Sequence, residues 1–516
     1  MLTSSFSFGQ IYSSSNYASV ISIEELQKHL TIIASDEMEG RETGTPGQRK
    51  ASAYIENQFK SIGLEAPKQL KGYQQFFSLN QDSALKDSLT INGEIKKYGI
   101  DYIGNVSLNS TGVFASDSIV FVGYGIEDDV YNDYLKKNVV GKVVVFVSGE
   151  PKKGKKYLIN PTGKKSAWTS SGLSKKLELA KLKGAVGAIF INLQQDNFSE
   201  TIVKNSLFSA LNYIDNQEVS QKVNCITISH SLATQILGDQ FDDYLDAANK
   251  GNLLNEINIE KAAKIEYEFA KKTKNILASN IIGIIEGTDK KNEYVVLSAH
   301  YDHLGKKNGV VYNGADDDGS GTVAVIAMAS AFAKAKKEGH GPRRTIVFMT
   351  VSGEEKGLWG SEYYSNHPVF SLEKTSVDLN TDMIGRIDTE RKLSDTLNYV
   401  YVVGHDKLSS ELPIINEEAN KQHTKLTLDY KFDDPEDPNR IYYRSDHYNF
   451  ARKGVPVLFF YDGMLLADYH QPTDDVEKIN WPLYQKRAQM IFHTAWEIAN
   501  RDEMLVRDKP LPVGNR

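Results

Sequence analysis

From about residue 278 to residue 498 the chain alternates short, almost wholly apolar runs with stretches of helical periodicity. That alternation constrains the fold more than any other feature. The runs 294–299, 345–351, 377–383, 399–403 and 456–461 read as strands, and 322–336, 358–366 and 481–498 as helices. Strands that are apolar on both faces need cover on both faces, which helices between successive parallel strands supply. The pattern predicts an α/β fold with a central mixed, mostly parallel sheet flanked by helices. In such sheets ligands collect at the carboxyl ends of the strands.

Charged residues sit at those ends. Strand 294–299 runs into His300-Tyr301-Asp302-His303, and strand 345–351 into Ser352-Gly353-Glu354-Glu355. Asp382 ends the strand that begins at Val377. The segment Asn313-Gly314-Ala315-Asp316-Asp317-Asp318-Gly319-Ser320-Gly321 places three mutually repelling carboxylates at the start of an apolar helix, where a divalent cation would offset the repulsion. His470 lies in a polar loop. Taken singly, each has an ordinary explanation as a turn, cap or surface residue. Together, two imidazoles and three carboxylates suit zinc, with manganese or cobalt as substitutes. One carboxylate can bridge two ions about 3.5–4 Å apart. Of the adjacent Glu354 and Glu355, one can bind metal while the other stays free to accept a proton. Asp302 is close enough to hold the second ring nitrogen of His300.

The rest of the chain divides by texture. Residues 1–23 carry no charge and are rich in Ser. They lack both a positive start and a complete apolar core, so residues 1–21 read as a leader, the remnant of an export signal, and the expected location is outside the cytoplasm. Residues 23–33 and a run from Gln48, with Ala51, Ile55, Phe59 and Ile62 on one face and Gly63 at the end, read as helices. Residues 22–78 and 268–516 are read as two parts of one catalytic domain. Between them, 79–267 shows short strands (118–122, 142–147, 188–191, 224–228), Gly-rich turns and one helix, 175–183, as expected of a β-rich insert.

Composition excludes several classes. The net charge is −7 with scattered lysines, which argues against nucleic acid as a partner. No apolar run approaches the roughly 18 residues that span a bilayer, so stable membrane insertion is not expected. Cys225 is the single cysteine, which rules out an intrachain disulfide and a multi-thiolate zinc site; it reads as a buried, inert thiol. The basic run Gly149–Lys156 nearly spells a phosphate-binding loop but has Lys156 where Ser or Thr is needed, and reads as a surface loop. Gly123-Tyr124-Gly125 lacks a third Gly, and neither HExxH nor GxSxG occurs.

The segments SAHYDHLG, NGADDDGSG, SGEEKGLWGSEYY, NTDMIGR, SDHYNFARKGVPV and DYHQPTDD, in this order and spacing, resemble the M28 family of zinc peptidases. The stretch 32–64 resembles the start of that family's catalytic domain, and FVGYGI, GKVVVFVSGEP and KLKGAVGAIFINL resemble the protease-associated (PA) domain inserted in many members. The resemblance implies two Zn²⁺ ions, with Asp317 bridging, His300 and Asp382 completing one site, and Glu355 and His470 the other. It implies Glu354 as general base, Tyr442 as a group assisting the tetrahedral intermediate (with Tyr443 beside it as a rival), Asp302 and Asp318 as supporting residues, and a cis peptide at Asp317–Asp318. The implied activity is aminopeptidase action on peptides with a free N-terminus. The alternatives are a carboxypeptidase or dipeptidase of the same fold, reading a substrate carboxylate with Arg386 and Arg444, a single-zinc cyclase, and a non-catalytic receptor. The sequence carries no signal for oligomeric state.

Overall fold

The structure is a computed structural model that describes residues 14–510 except 171, 194–196, 214–221, 239, 240 and 435. Two compact units are present: Met1–Ser78 with Leu277–Arg516, and Leu79–Ile276.

In the first unit the sheet order is Thr427–Asp429, Tyr399–Val403, Val457–Tyr461, Thr375–Thr381, Lys290–His300, Arg344–Val351 and residues 281–285. The four strands Val457–Tyr461, Thr375–Thr381, Lys290–His300 and Arg344–Val351 are mutually parallel. Tyr399–Val403 runs antiparallel to Val457–Tyr461 and parallel to Thr427–Asp429, and 281–285 runs antiparallel to Arg344–Val351. The expected mixed, mostly parallel sheet flanked by helices is what forms. Its parallel strands are buried along their apolar runs, which is why they read as continuous rather than alternating. The helices Gly321–Lys337 and Trp481–Asn500 pack on the central strands, and Ile23–Ile33 and Pro46–Ile62 pack on Gly321–Lys337. Ser22 caps Ile23–Ile33 by accepting from Glu25 N at 3.3 Å.

Strand order reverses around Lys290–His300: the next strand, Arg344–Val351, lies on one side and the one after, Thr375–Thr381, on the other. This is a topological switch point, the place where such sheets open a crevice at their carboxyl ends. Register does the rest. Ser298 pairs with Asn380, so two residues on, His300 and Asp382 leave the sheet side by side. His300 also pairs with Val351, three residues before Glu354.

Residues 1–13 of the expected leader lie outside the described residues. The folded unit starts before residue 22, however. Tyr17 is 1% exposed, stacks on Trp496 with ring centroids 5.5 Å apart, and together with Ile21 belongs to the core. Uncharged, Ser-rich sequence looks like a leader, but its few large apolar side chains are what the closing helix buries.

The second unit holds a parallel set, Gly112–Phe121, Val143–Val147, Gly187–Ile191 and Cys225–Ile228, edged by antiparallel Tyr102–Gly104 and by 260–269. It has its own apolar core, which contains Cys225. The expected insert boundary at 267 falls inside one unbroken strand, Glu260–Ile285. No helix among the described residues is long and apolar enough to cross a membrane.

Candidate metal centre

All five expected ligand residues meet at the carboxyl edge of the first unit's sheet, in two groups that share Asp317. His300 Nε2 lies 3.3 Å from Asp317 Oδ1 and 3.5 Å from Asp382 Oδ1. His470 Nε2 lies 3.2 Å from Asp317 Oδ2 and 2.9 Å from Glu355 Oε2. One carboxylate thus turns one oxygen to each group. Donors bound to a common tetrahedral ion at about 2.0–2.1 Å stand about 3.3 Å apart, and these separations are of that size. Among the described residues His300 Nε2, Asp317 Oδ2 and Glu355 Oε1 are buried without a hydrogen-bond partner. Buried polar atoms that converge and are not bonded to one another call for a cation between them. The donor set therefore fits a pair of divalent ions.

Without a cation the imidazoles take that part. Burial opposes charge on His470, but Asp317 and Glu355 reverse this and push it up to about 10. Burial raises Asp317, yet His300, His470 and His303 hold it well below the usual carboxylate range. Glu354 behaves differently. Burial drives its carboxyl well above the ordinary value, against the pull of His300 and with the push of Asp382, Glu355 and Asp446. Its Oε2 stands 3.9 Å from His300 Nε2, outside both donor groups.

Supporting residues hold this geometry. Asp318 accepts from the backbone N–H groups of His300 (3.1 Å), Gly321 (2.8 Å) and Met383 (3.1 Å), tying three loops together. A Cβ on Gly321 would come within 2.3 Å of Asp318 Oδ1, so only Gly leaves room for that carboxylate. The peptide Asp317–Asp318 is cis. Asp302 holds the second ring nitrogen of His300 through its backbone: His300 Nδ1 lies 3.1 Å from the Asp302 carbonyl oxygen, and the Asp302 carboxylate accepts from Thr43 Oγ1 (2.7 Å) and Glu354 N (3.2 Å). Residues the sequence did not single out complete the support. Asp474 accepts from Asp316 N and Asp317 N, and Ser445 Oγ donates to Asp382 Oδ2 at 2.7 Å. Arg41, fully buried, donates to the carbonyls of Ile33, Tyr301, Asn313 and Gly314.

Tyr442 is not at the cluster. In the 3-10 turn Ile441–Tyr443 adjacent side chains diverge by about 120°. Ile441 and Arg444 line the pocket beside the carboxylates, while Tyr442 packs on His447 and Tyr448 beneath the Lys407 ammonium. Tyr461 and Tyr469 line that pocket instead. Arg386 and Arg444 do not form a pair: Arg386 is bound to Asp468 at 2.7 Å, and Arg444 donates to Tyr469 Oη at 3.0 Å.

Residues 280–495, which hold every donor above, match Peptidase family M28. A "Probable leucine aminopeptidase" of Arthroderma otae is 27% identical over 48% of this chain and 63% of its own length. A "Vacuolar membrane protease" of Candida dubliniensis is 33% identical over 26% of this chain and 14% of its own length. The chain thus spans less than two thirds of these relatives. An aminopeptidase from Aneurinibacillus sp. strain AM-1 shares the fold, with a TM-score of 0.53 at 19% identity over 98% of this chain and 100% of that one. Residues 280–495 thus match peptidase family M28, and the fold agrees with that of a solved aminopeptidase.

Proposed function

We propose that this chain is a di-zinc aminopeptidase that removes N-terminal residues from peptides. The observation that carries the reading is Asp317, whose two oxygens each face a separate group of donors. His300, Asp317 and Asp382 would hold one ion, and Asp317, Glu355 and His470 the other. Two zinc ions there supply Lewis acidity and a water more acidic than bulk water. Glu354, which stands outside both donor groups and 3.9 Å from His300 Nε2, accepts the proton of the attacking water and returns it to the leaving amine. The hydrogen bond from Glu354 N to Asp302 fixes where that carboxylate starts. Tyr461 and Tyr469, both kept protonated by burial, replace Tyr442 as donors to a developing oxyanion.

The apolar wall of Met383, Ile441, Phe459 and Leu465 favours an uncharged side chain on the residue removed, and the excess of carboxylates at its mouth favours a free α-amine. A carboxypeptidase would read a substrate carboxylate with Arg386 and Arg444 together; Arg444 lines the pocket, but Arg386 is already paired with Asp468. A receptor role gives no reason for the donors to converge. We further propose export, with any processing on the amino side of Ser14, because later residues are core, and a PA-like identity for the second unit.

The test is metal analysis of the purified protein together with aminoacyl-amide, dipeptide and N-acetylated substrates. Two zincs per chain and cleavage that demands a free amine are expected. Hydrolysis of N-acetylated substrates would favour the carboxypeptidase reading, and zinc-loaded protein that cleaves none of them would end the peptidase reading.

A further inference from the structure

His303 lies outside the five expected ligands, yet its ring reaches the same space. It is 0% exposed, and its Nδ1 lies 2.8 Å from Glu355 Oε1 and 3.8 Å from Asp317 Oδ2. The separation from Glu355 is that of a hydrogen bond, but the direction is not: Nδ1 and Oε1 both stand without a hydrogen-bond partner among the described residues. A buried nitrogen and a buried oxygen this close, neither of them satisfied, leave room for a cation to satisfy both. His300 Nε2 shows the same combination on the other side of Asp317, with near carboxylates and no hydrogen bond. His303, Asp317 and Glu355 offer donor atoms that all lie within 4.8 Å of one another.

The ring is also held in place. A Cβ on Gly314 would lie 2.5 Å from His303 Cδ2 and 2.6 Å from Cγ, so the absent side chain at 314 is the room the ring occupies. His303 N donates to the Arg41 carbonyl, and the Arg41 guanidinium clamps the carbonyls of Tyr301 and Gly314, which flank the ring.

We propose that His303 is a metal ligand through Nδ1, at the position formed by Asp317, Glu355 and His470. The proposal rests on the di-zinc reading and deepens it. That position then has four protein donors, whereas the other has three: His300, Asp317 and Asp382. Four protein donors close a zinc site, and three leave a place for water or substrate. Glu354 stands beside the three-donor position, 3.9 Å from His300 Nε2. The centre is therefore unequal: one ion is held tightly with its coordination filled, and the other is the exchangeable one next to the base.

The experiment is stepwise zinc titration of metal-free protein by chelator competition, for the wild type, His303→Ala, His303→Gln and Asp382→Ala. Melting of the four metal-free proteins checks folding. The wild type should bind two zincs in clearly separated steps. Both His303 variants should weaken the tight step by roughly 10- to 100-fold and leave the weak step in place, and Asp382→Ala should weaken the weak step. Cobalt bound at the tight step should change its visible absorption in both His303 variants, because the number of donors changes. Gln retains an amide donor for Glu355, so a His303 that acted only by hydrogen bonding would be rescued in His303→Gln. That rescue, or a tight step unchanged in His303→Ala, overturns the assignment of His303 alone. Wild-type protein that binds fewer than two zincs overturns the di-zinc reading and the proposal with it.

Discussion

Both units of this protein are built on parallel strands of the same kind, yet they finish those strands differently. In the first unit Lys290–His300, Arg344–Val351 and Thr375–Thr381 run directly into His300, Ser352-Gly353-Glu354-Glu355 and Asp382. In the second, Val143–Val147 runs into Ser148-Gly149-Glu150, where the Glu150 carboxylate accepts from Ser166 N (2.8 Å) and Ser166 Oγ (2.6 Å) and is thereby used up. The buried Asp133 nearby accepts from Tyr124 N, Ile126 N and Tyr131 Oη. Glu150 and Asp133 of the second unit are satisfied by protein donors, while Asp317 Oδ2 and Glu355 Oε1 of the first are buried without one among the described residues. A sheet edge becomes a metal site when its carboxylates are denied local donors, and the architecture alone does not decide it.

Experiments can break this contrast or sharpen it. The largest effect should follow chelation: the proposed activity vanishes and returns with zinc, while the melting of the second unit is unmoved. Activity surviving exhaustive chelation would end the reading of the first unit. Glu354→Gln comes next, with kcat lower by about 10²–10⁴-fold and zinc content unchanged; a loss of zinc as well would make Glu354 a ligand. In the second unit, Asp133→Ala strands three buried donors and should cost about 3 kcal/mol by denaturant unfolding. Turnover of the folded fraction should stay within about twofold, and a larger drop would tie the second unit to the site.

A smaller effect concerns His493, which burial and the His423 charge depress to about 3. Its folded value lies below the unfolded one, so its contribution to stability is full above about pH 6.5 and is lost as pH falls toward 3. The Tm gap between wild type and His493→Gln should therefore narrow on acidification, and a gap that widens would reverse the sign argued here. The smallest effect is expected at Cys225, buried and pushed up to about 12. Cys225→Ala should cost about 1 kcal/mol, and the native thiol should resist alkylation until the protein unfolds.

Where a side chain's position follows from strand register, the sequence alone was enough. His300, Glu354 and Asp382 could be placed because apolar runs mark the strands and the residues that follow must emerge at one edge. Glu260–Ile285 reads less clearly as a single strand, although the buried Ala263, Ile265, Tyr267 and Phe269 alternate with the exposed Lys264 and Glu266 and the half-buried Glu268. The polar stretch after Phe269 looks like a linker and hides its continuation. Tyr442 went to the wrong side because a tight turn sends neighbours in different directions. His303 and Asp474 carry no local signal: each matters through a partner more than 50 residues away that only the folded backbone brings near.

Arg41 and Tyr17 also bear on how the protein is made. The guanidinium of Arg41 is satisfied by carbonyls as far along as Gly314, and the ring of Tyr17 waits for Trp496. On a ribosome the first segment therefore emerges with no partners to fold against, while Leu79–Ile276 can close on itself midway. His470 and Asp474 emerge only after the whole of Leu79–Ile276. A nascent chain thus carries no complete donor set until His470 has emerged, so the proposed activity cannot begin before both units have been made.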